Sequence, residues 1–426
     1  MRVIQFPERT EWRKIMMRPV ADTSSLEMTV SNILKEVREN GDDAVRRFSL
    51  MFDKVSIENA EITQKEIGEA NSLVSDELKS AIQKAKKNIE FFHKQQLQPV
   101  EMIEPMAGVQ CWRKTVPIEK VGLYIPGGTA PLFSTLLMLG IPARLAGCKE
   151  IVLCSPPDQE GKLHPAILYS AELTGISKIF KIGGVQAIAA MAYGTTTVPQ
   201  VYKIFGPGNQ YVTCAKQMVQ KEGLAIDIPA GPSEVAIYAD QTADPAFVAA
   251  DLLSQAEHGV DSQVILVSTA QSVIDHVLTE LENQIKKLER KTIAEKSLAN
   301  SKAVLVKTQE EAIDLLNEYA PEHLILACRN PEKAAAGVMN AGSVFLGNYS
   351  PESVGDYASG TNHVLPTNGY ARSYSGVSMD SFVKRITFQQ LTPKGLENIG
   401  KAVITMAEAE GLQAHANAIR VRLDKK

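Results

Sequence analysis

Cysteine is scarce and scattered: five residues in 426, at positions 111, 148, 154, 214 and 328, with no C-x-x-C pair. That excludes a disulfide framework and points to reduced, mostly buried small hydrophobes in a cytoplasmic protein. Cys148 and Cys154 stay open as nucleophiles, although no histidine or cation adjoins either in sequence. Charge of one sign is also missing. Lys and Arg total 45 against 49 Asp and Glu, a net charge of −4 without a long basic run. Neither a nucleic acid nor an anionic membrane is therefore expected as a partner. The opening "MRVIQFPERTEWRK" has no apolar core of signal-peptide length. The most apolar segment, "PLFSTLLMLGIPARLAGC", carries Pro142 and Arg144 and is too short to span a bilayer. Internal repeats, low-complexity tracts, G-x-G-x-x-G and H-E-x-x-H are all absent.

What remains is an ordinary globular composition, 44% hydrophobic and 22% charged, long enough for about three domains at ~150 residues each. Residues 22–97 show helical spacing, with stops at Gly41 and before Pro99. From about residue 118 short apolar runs alternate with helical patterns. "VGLYIPGG", "EIVLCSP", "KIFKIGG", "VYKIFGPG", "VAIYAD", "QVILVST", "AVLVKT", "HLILAC" and "GSVFLG" are expected as strands. Such alternation implies parallel βαβ units, an α/β fold with helices on both faces, and enough strands for two sheets. After residue 376 only two helices are expected, Pro393 to Glu410 and roughly Leu412 to Leu423. Asp244–Pro245, Asn330–Pro331 and Thr392–Pro393 each place a capping side chain before a first-turn proline. Thr308 and Glu311 have capping-box spacing.

Chemistry is suggested at seven places. In "YAPEHLILAC" (319–328) Glu322 and His323 stand side by side where an apolar strand begins, a costly position for two ionisable groups unless they are used. Three glycine-rich turns follow expected strands: "YIPGGTAP" (124–131), "KIGGVQAIAA" (181–190) and "FGPGNQYV" (205–212). Each is either a phosphate cradle or an ordinary βα turn. In "DPAFVAADLLSQAEHG", Gln255 and His258 share a helix face ahead of Gly259. They are open to two readings, a metal pair or a terminal histidine near the helix dipole. The loop "SPESVGDYASGTNHVLPT" (350–367) offers Asp356 and His363, or merely solvated polar groups. Glu410 and His415 flank a helix break at Gly411, where a surface histidine is the plainer reading. Taken together, Gln255, His258, Asp356 and His415 form an N/O donor set suited to Zn²⁺ or a similar divalent metal.

Long specific strings across nearly the whole chain resemble the histidinol dehydrogenase family: "GLYIPGG", "PARLAGCKEIVLCSPP", "KIFGPGN", "AGPSEV", "DLLSQAEHG", "PEHLI", "AGSVFLG", and residues 351–367 through "GDYASGTNHVLPT", with "LQAHANA" near the end. The resemblance implies a Zn²⁺-dependent, NAD-linked oxidation of L-histidinol to L-histidine through L-histidinaldehyde, using two NAD⁺. It makes Gln255, His258, Asp356 and His415 the ligands of one Zn²⁺ per subunit. Ser233, Glu322, His323, Glu410 and the zinc ligands would line the substrate pocket, and Tyr124, Gln186 and Asn209 would contact NAD. Glu322 and His323 become the catalytic acid–base groups: His323 takes the alcohol proton and Glu322 activates the water that attacks the aldehyde.

The implied architecture is two incomplete Rossmann-like domains with parallel sheets, plus an N-terminal arm and a C-terminal helical appendage. The expected bounds are 1–20 for the arm, 21–120 with 236–376 for the main domain, 121–235 for the NAD domain and 377–426 for the dimerisation helices. The resemblance further implies a homodimer in which Glu410 and His415 reach the site of the neighbouring chain. Three rival readings are a related zinc/NAD dehydrogenase of another polar alcohol, a zinc hydrolase using Glu322 on water, and a non-catalytic binding protein.

Overall fold

The computed structural model describes residues 1–18, 24–97, 99–127, 131–228 and 231–425. The chain opens with strand β1 (Arg2–Gln5), followed by helices that include Ser24–Phe52 and Asp76–Lys94. The first of these bends at Gly41, whose φ of 51° and ψ of −129° interrupt the helical path where the sequence marks a stop. Ser75 caps the second, its side chain accepting from the Leu78 N–H. Next come β2 (Met102–Met106) and β3 (Val109–Pro117). A run of βα units then gives β4 (Lys120–Tyr124), β5 (Glu150–Ser155), β6 (Lys178–Lys181), β7 (Lys203–Phe205) and β8 (Ala225–Ile226). A second run gives β9 (Glu234–Ala239), β10 (Gln263–Ser268), β11 (Lys302–Leu305), β12 (His323–Ala327) and β13 (Ser343–Leu346). Strand β14 (Val383–Leu391) precedes the terminal helices Pro393–Ala409 and Gln413–Leu423.

Two parallel sheets carry the fold, with orders β6-β5-β4-β7-β8 and β1-β11-β10-β9-β12-β13. Counted within its own unit each reads 3-2-1-4-5, one strand short of the six-stranded dinucleotide-binding order. Helices cover both faces, so successive strand residues enter different cores. Val235 and Ile237 pack on one side of the larger sheet, Ala236 and Tyr238 on the other. Leu123 and Leu153 likewise oppose Tyr124 and Cys154 in the smaller. Burial on both sides explains why these strands read as continuous apolar runs.

Four expectations need correction. Residues 2–5, expected in an arm, are an edge strand: β1 pairs in parallel with β11, Arg2 opposite Lys302. Strands do not stop at residue 376, because β14 pairs antiparallel with β3 along its length, Val383 opposite Pro117 and Leu391 opposite Val109. With β2 this makes a third sheet. β14 is exposed over nearly its whole length, so it lacks the apolar contrast that reveals a strand, and its partner lies far away in sequence. The helix beginning at Pro331 receives no side-chain cap from Asn330, whereas Asp244 and Thr392 cap as expected. Thr308 accepts from the Glu311 N–H, but the Glu311 carboxylate reaches back to the Lys307 N–H, not to that of Thr308.

Candidate active site

The first residues of β9 and β12 are neighbours in the larger sheet, His323 opposite Val235. Glu322 and His323 stand at this edge, 6% and 3% exposed. One residue of β9 fixes both. The Glu234 N–H donates to Glu322 Oε2 at 2.9 Å, and the Glu234 carbonyl lies 3.1 Å from His323 Nδ1. A carbonyl only accepts, so Nδ1 carries a proton, and in the neutral ring it is Nε2 that has the lone pair. Nε2 is buried without a hydrogen-bond partner, 3.4 Å from Asp356 Oδ1. The Glu234 side chain is itself clamped: Arg18 Nε and Nη2 reach its two oxygens at 2.5 and 2.6 Å.

A cavity of about 150 Å³ opens at this edge. From the larger sheet's unit it is lined by Ser233, Gln255, His258, Glu322 and His323, and from the segment after β13 by Asp356 and His363. Its other wall comes from the smaller sheet: Thr135 in the helix after β4, Gly206 and Pro207 after β7, and Ile228 after β8. The carboxyl-terminal edge of one sheet thus faces the amino-terminal edge of the other, and Glu322 and His323 sit opposite the end that open α/β sheets usually employ.

Gln255 belongs to the helix Pro245–Ala256, and His258 lies just past its end with its N–H on the Gln255 carbonyl. The Gln255 amide, 1% exposed, is oriented by its neighbours. Its NH₂ donates to Glu352 Oε1 at 2.6 Å while its oxygen faces the Glu234 N–H at 3.1 Å. Asp356 rides on a short helix, Glu352–Tyr357, inside the stretch expected to be all loop. His363 Nδ1 meets the Asp356 carbonyl at 2.8 Å and its Nε2 meets Thr135 Oγ1 at 3.0 Å.

Burial sets the electrostatics. It pushes Glu322 and Glu352 each up to about 8, against the pull of His323. Burial disfavours the His323 imidazolium, yet Glu322 and Asp356 overcome it and raise the group to about 10. Burial would raise Asp356, but the His323 imidazole beside it favours the charged carboxylate and the group is lowered. His258 and His363 are lowered by burial, which Asp356 only partly offsets.

The structure therefore brings Ser233, Gln255, His258, Glu322, His323 and Asp356 around one cavity, with His363 beside them. It does not bring Glu410 or His415, which are exposed on the C-terminal helices and absent from the lining. Among the described residues no three His, Cys, Asp or Glu side chains are grouped to hold a metal. The thiol alternative falls away: Cys148 and Cys154 are buried and raised by burial, Cys148 to about 12. Arg18, Glu234 and Glu352 were not expected. Glu234 and Glu352 lie within strings that carry the family resemblance, but the spacing gives them no role, since each acts through contacts made only in the fold.

Of the three glycine turns, the first lies partly outside the described residues, at 128–130. Tyr124 ends β4, and its hydroxyl accepts from the Gly184 N–H at 3.0 Å. Gln186, in the first turn of Gly184–Tyr193, is fully buried. Asn209 caps Gln210–Lys221, its oxygen accepting from Tyr211 and Val212. Gly206 is required sterically: its φ is 117°, and a Cβ would stand 2.0 Å from the Tyr124 carbonyl oxygen.

The histidinol dehydrogenase family model matches residues 16–423. The chain belongs to the histidinol dehydrogenase family. It is 60% identical over 425 residues to the histidinol dehydrogenase of Bacteroides fragilis (strain YCH46), covering 100% of this chain and 99% of that one. The crystal structure of histidinol dehydrogenase from Elizabethkingia anophelis superposes with a TM-score of 0.98 at 54% identity, covering 100% of this chain and 98% of that one. An NAD-dependent aldehyde dehydrogenase from Sinorhizobium meliloti, 14% identical with 88% of each chain covered, reaches a TM-score of 0.51 and is alike in fold alone. By its family the chain is an enzyme, a dehydrogenase. Among the described residues no helix is long and apolar enough to cross a membrane.

Proposed function

We propose that this enzyme oxidises L-histidinol to L-histidine through L-histidinaldehyde, reducing two NAD⁺ and using one Zn²⁺ per subunit, in the cytoplasm. The observation that carries the reading is the pairing of Glu322 and His323 in one cavity walled by Gly206 and Pro207 of the nucleotide-type sheet. His323, its Nδ1 proton placed by the Glu234 carbonyl, takes the substrate's hydroxyl proton at Nε2, and NAD⁺, when bound, would supply the hydride acceptor for the alcohol carbon. Glu322, held by the Glu234 N–H, then deprotonates the water that adds to the aldehyde carbon. That addition gives an aldehyde hydrate, and a second NAD⁺ would supply the hydride acceptor for its oxidation to the acid. Tyr124, Gln186 and Asn209 line the nucleotide's path along the smaller sheet.

The donor chemistry fits zinc. An amide oxygen, an imidazole and a carboxylate, from Gln255, His258 and Asp356, line the cavity, and one donor is lacking for a four-coordinate site. His415, exposed on the C-terminal helices beside Glu410, would complete the set from a second copy of the chain. That surface carries unpartnered apolar side chains, among them Met406, Leu412 and Val421 at 65, 45 and 45% exposure, as expected of an association face. Bound there, the ion would orient the substrate's imidazole and amino nitrogens and counter the carboxylate field around His323.

The test is NADH formation from L-histidinol and NAD⁺, before chelation, after chelation and after zinc add-back, with metal content measured alongside. Zinc-dependent turnover supports the reading, and full activity in protein proved metal-free refutes it. His258→Ala should lower metal retention after dialysis.

A further inference from the structure

The fingerprint acid that binds ribose hydroxyls in dinucleotide folds normally stands at the end of the second strand of the unit. Here that strand is β5, which runs into Pro156 and Pro157. The next acid, Asp158, is committed to its own turn, Oδ1 accepting from Glu160 and Lys162 at 2.9 Å each. Glu160, two residues on, is paired with Lys162 at 3.3 Å, and another carboxylate arrives from outside the unit. Asp53 follows the helix Ser24–Phe52, which packs on the smaller sheet's helices. Its Oδ2 receives Gln186 Nε2 at 3.3 Å. Gln186 lies in the turn whose Gly184 N–H donates to the Tyr124 hydroxyl, so Asp53, Gln186 and Tyr124 form one cluster over β4 and β6. Gln186 Oε1 is buried with no partner.

Sheet topology says which part of a dinucleotide reaches this cluster. The nicotinamide must approach the cavity, whose nucleotide-side wall is Gly206 and Pro207 after β7. β4 lies between β7 and β5, with β6 beyond. A dinucleotide crossing this switch point with nicotinamide over β7 puts its adenosine over β5 and β6. We propose that Asp53 selects the nucleotide: its carboxylate accepts from the 2′- and 3′-hydroxyls of the adenosine ribose of NAD and excludes the 2′-phosphate of NADP.

Charge and surroundings agree. Burial raises Asp53 to about 6, opposed by Gln186, so the group is mostly ionised at neutral pH. It is partly exposed, open to a ligand. Two cations close to Asp53 and β6 already have partners. Lys181, at the end of β6, is held by Glu66 at 2.9 Å, and Lys54 Nζ bonds the Met51 carbonyl at 2.7 Å.

This inference rests on the NAD-linked reading above, and the experiment separates the two. Full-length enzyme carrying Asp53→Asn or Asp53→Ser is compared with wild type for KM and kcat with NAD⁺, NADP⁺ and L-histidinol, and for NADH binding by fluorescence. A charge-assisted hydrogen bond is lost, so the KM for NAD⁺ should rise roughly ten- to a hundred-fold, with matching weakening of NADH. The NAD⁺/NADP⁺ preference should fall at least ten-fold in both variants while the KM for L-histidinol holds. Equal losses with both nucleotides, or no change with either, overturn the role of Asp53 while leaving NAD use intact. A wild type that reduces neither nucleotide overturns the NAD reading itself, and this inference with it.

Discussion

Arg18 is the most informative residue to remove. Its guanidinium grips both oxygens of Glu234 at 2.5 and 2.6 Å, donates to the Tyr319 carbonyl at 2.8 Å and lies 4.0 Å from the centroid of the Tyr319 ring. Glu234 is 2% exposed. Arg18→Met keeps the apolar stem and strands that carboxylate, and breaking a buried pair from one side costs about 3–5 kcal/mol. The Asn368 N–H, at 2.7 Å from Glu234 Oε1, recovers only part of this. Because the Glu234 main chain holds both Glu322 and His323, the loss should extend to chemistry, with kcat falling in both oxidation steps. Arg18→Met with Glu234→Gln removes the stranded charge and should cost clearly less stability than the two single changes added together. The assay is denaturant unfolding at fixed protein concentration, alongside kcat for each substrate. Additivity within about 0.5 kcal/mol, or an Arg18→Met enzyme of wild-type stability and kcat, would refute the coupling.

Three further outcomes are expected. Glu322→Gln should slow aldehyde oxidation by at least ~10²-fold and the alcohol step less; equal losses, measured with each substrate separately, would show the roles misassigned. Asp251, raised by burial from 3.8 to about 7, holds its proton better folded than unfolded. Its contribution is therefore full below pH 4 and lost as pH rises through about 7. Asp251→Asn should then gain on wild type across that window, by on the order of a few kcal/mol at the top, and a pH-independent difference in unfolding midpoint would contradict this. Finally, co-refolding His415→Ala with His323→Ala chains should restore roughly a quarter of wild-type activity, since about half the dimers are mixed and each holds one intact site. No recovery with mixed dimers confirmed by mass spectrometry would place His415 in its own chain's site.

The legible parts of this fold are those where local chemistry and burial coincide. Strands buried on both faces announce themselves as apolar runs, and Asp244 before Pro245 marks a helix start that the structure keeps. Glu322 and His323 stood out because two ionisable groups opened such a run. What stayed hidden depends on distant partners. β14 gains its identity from β3, some 270 residues earlier, and the β1 edge strand from β11. Arg18 and Glu234 are 216 residues apart, and Asp53 and Gln186 are 133 apart, so no spacing rule could join them. Glu410 and His415 lie outside the cavity in the single chain.

The central claim is that one cavity performs two successive oxidations on one substrate. The direct measurement is the stoichiometry of NADH formed per L-histidinol consumed under excess NAD⁺, with the product identified by mass spectrometry. Two NADH per L-histidinol, with L-histidine as the product and no free aldehyde accumulating, is the predicted result. One NADH with the aldehyde as end product, or consumption of L-histidinol without NADH, would contradict the account.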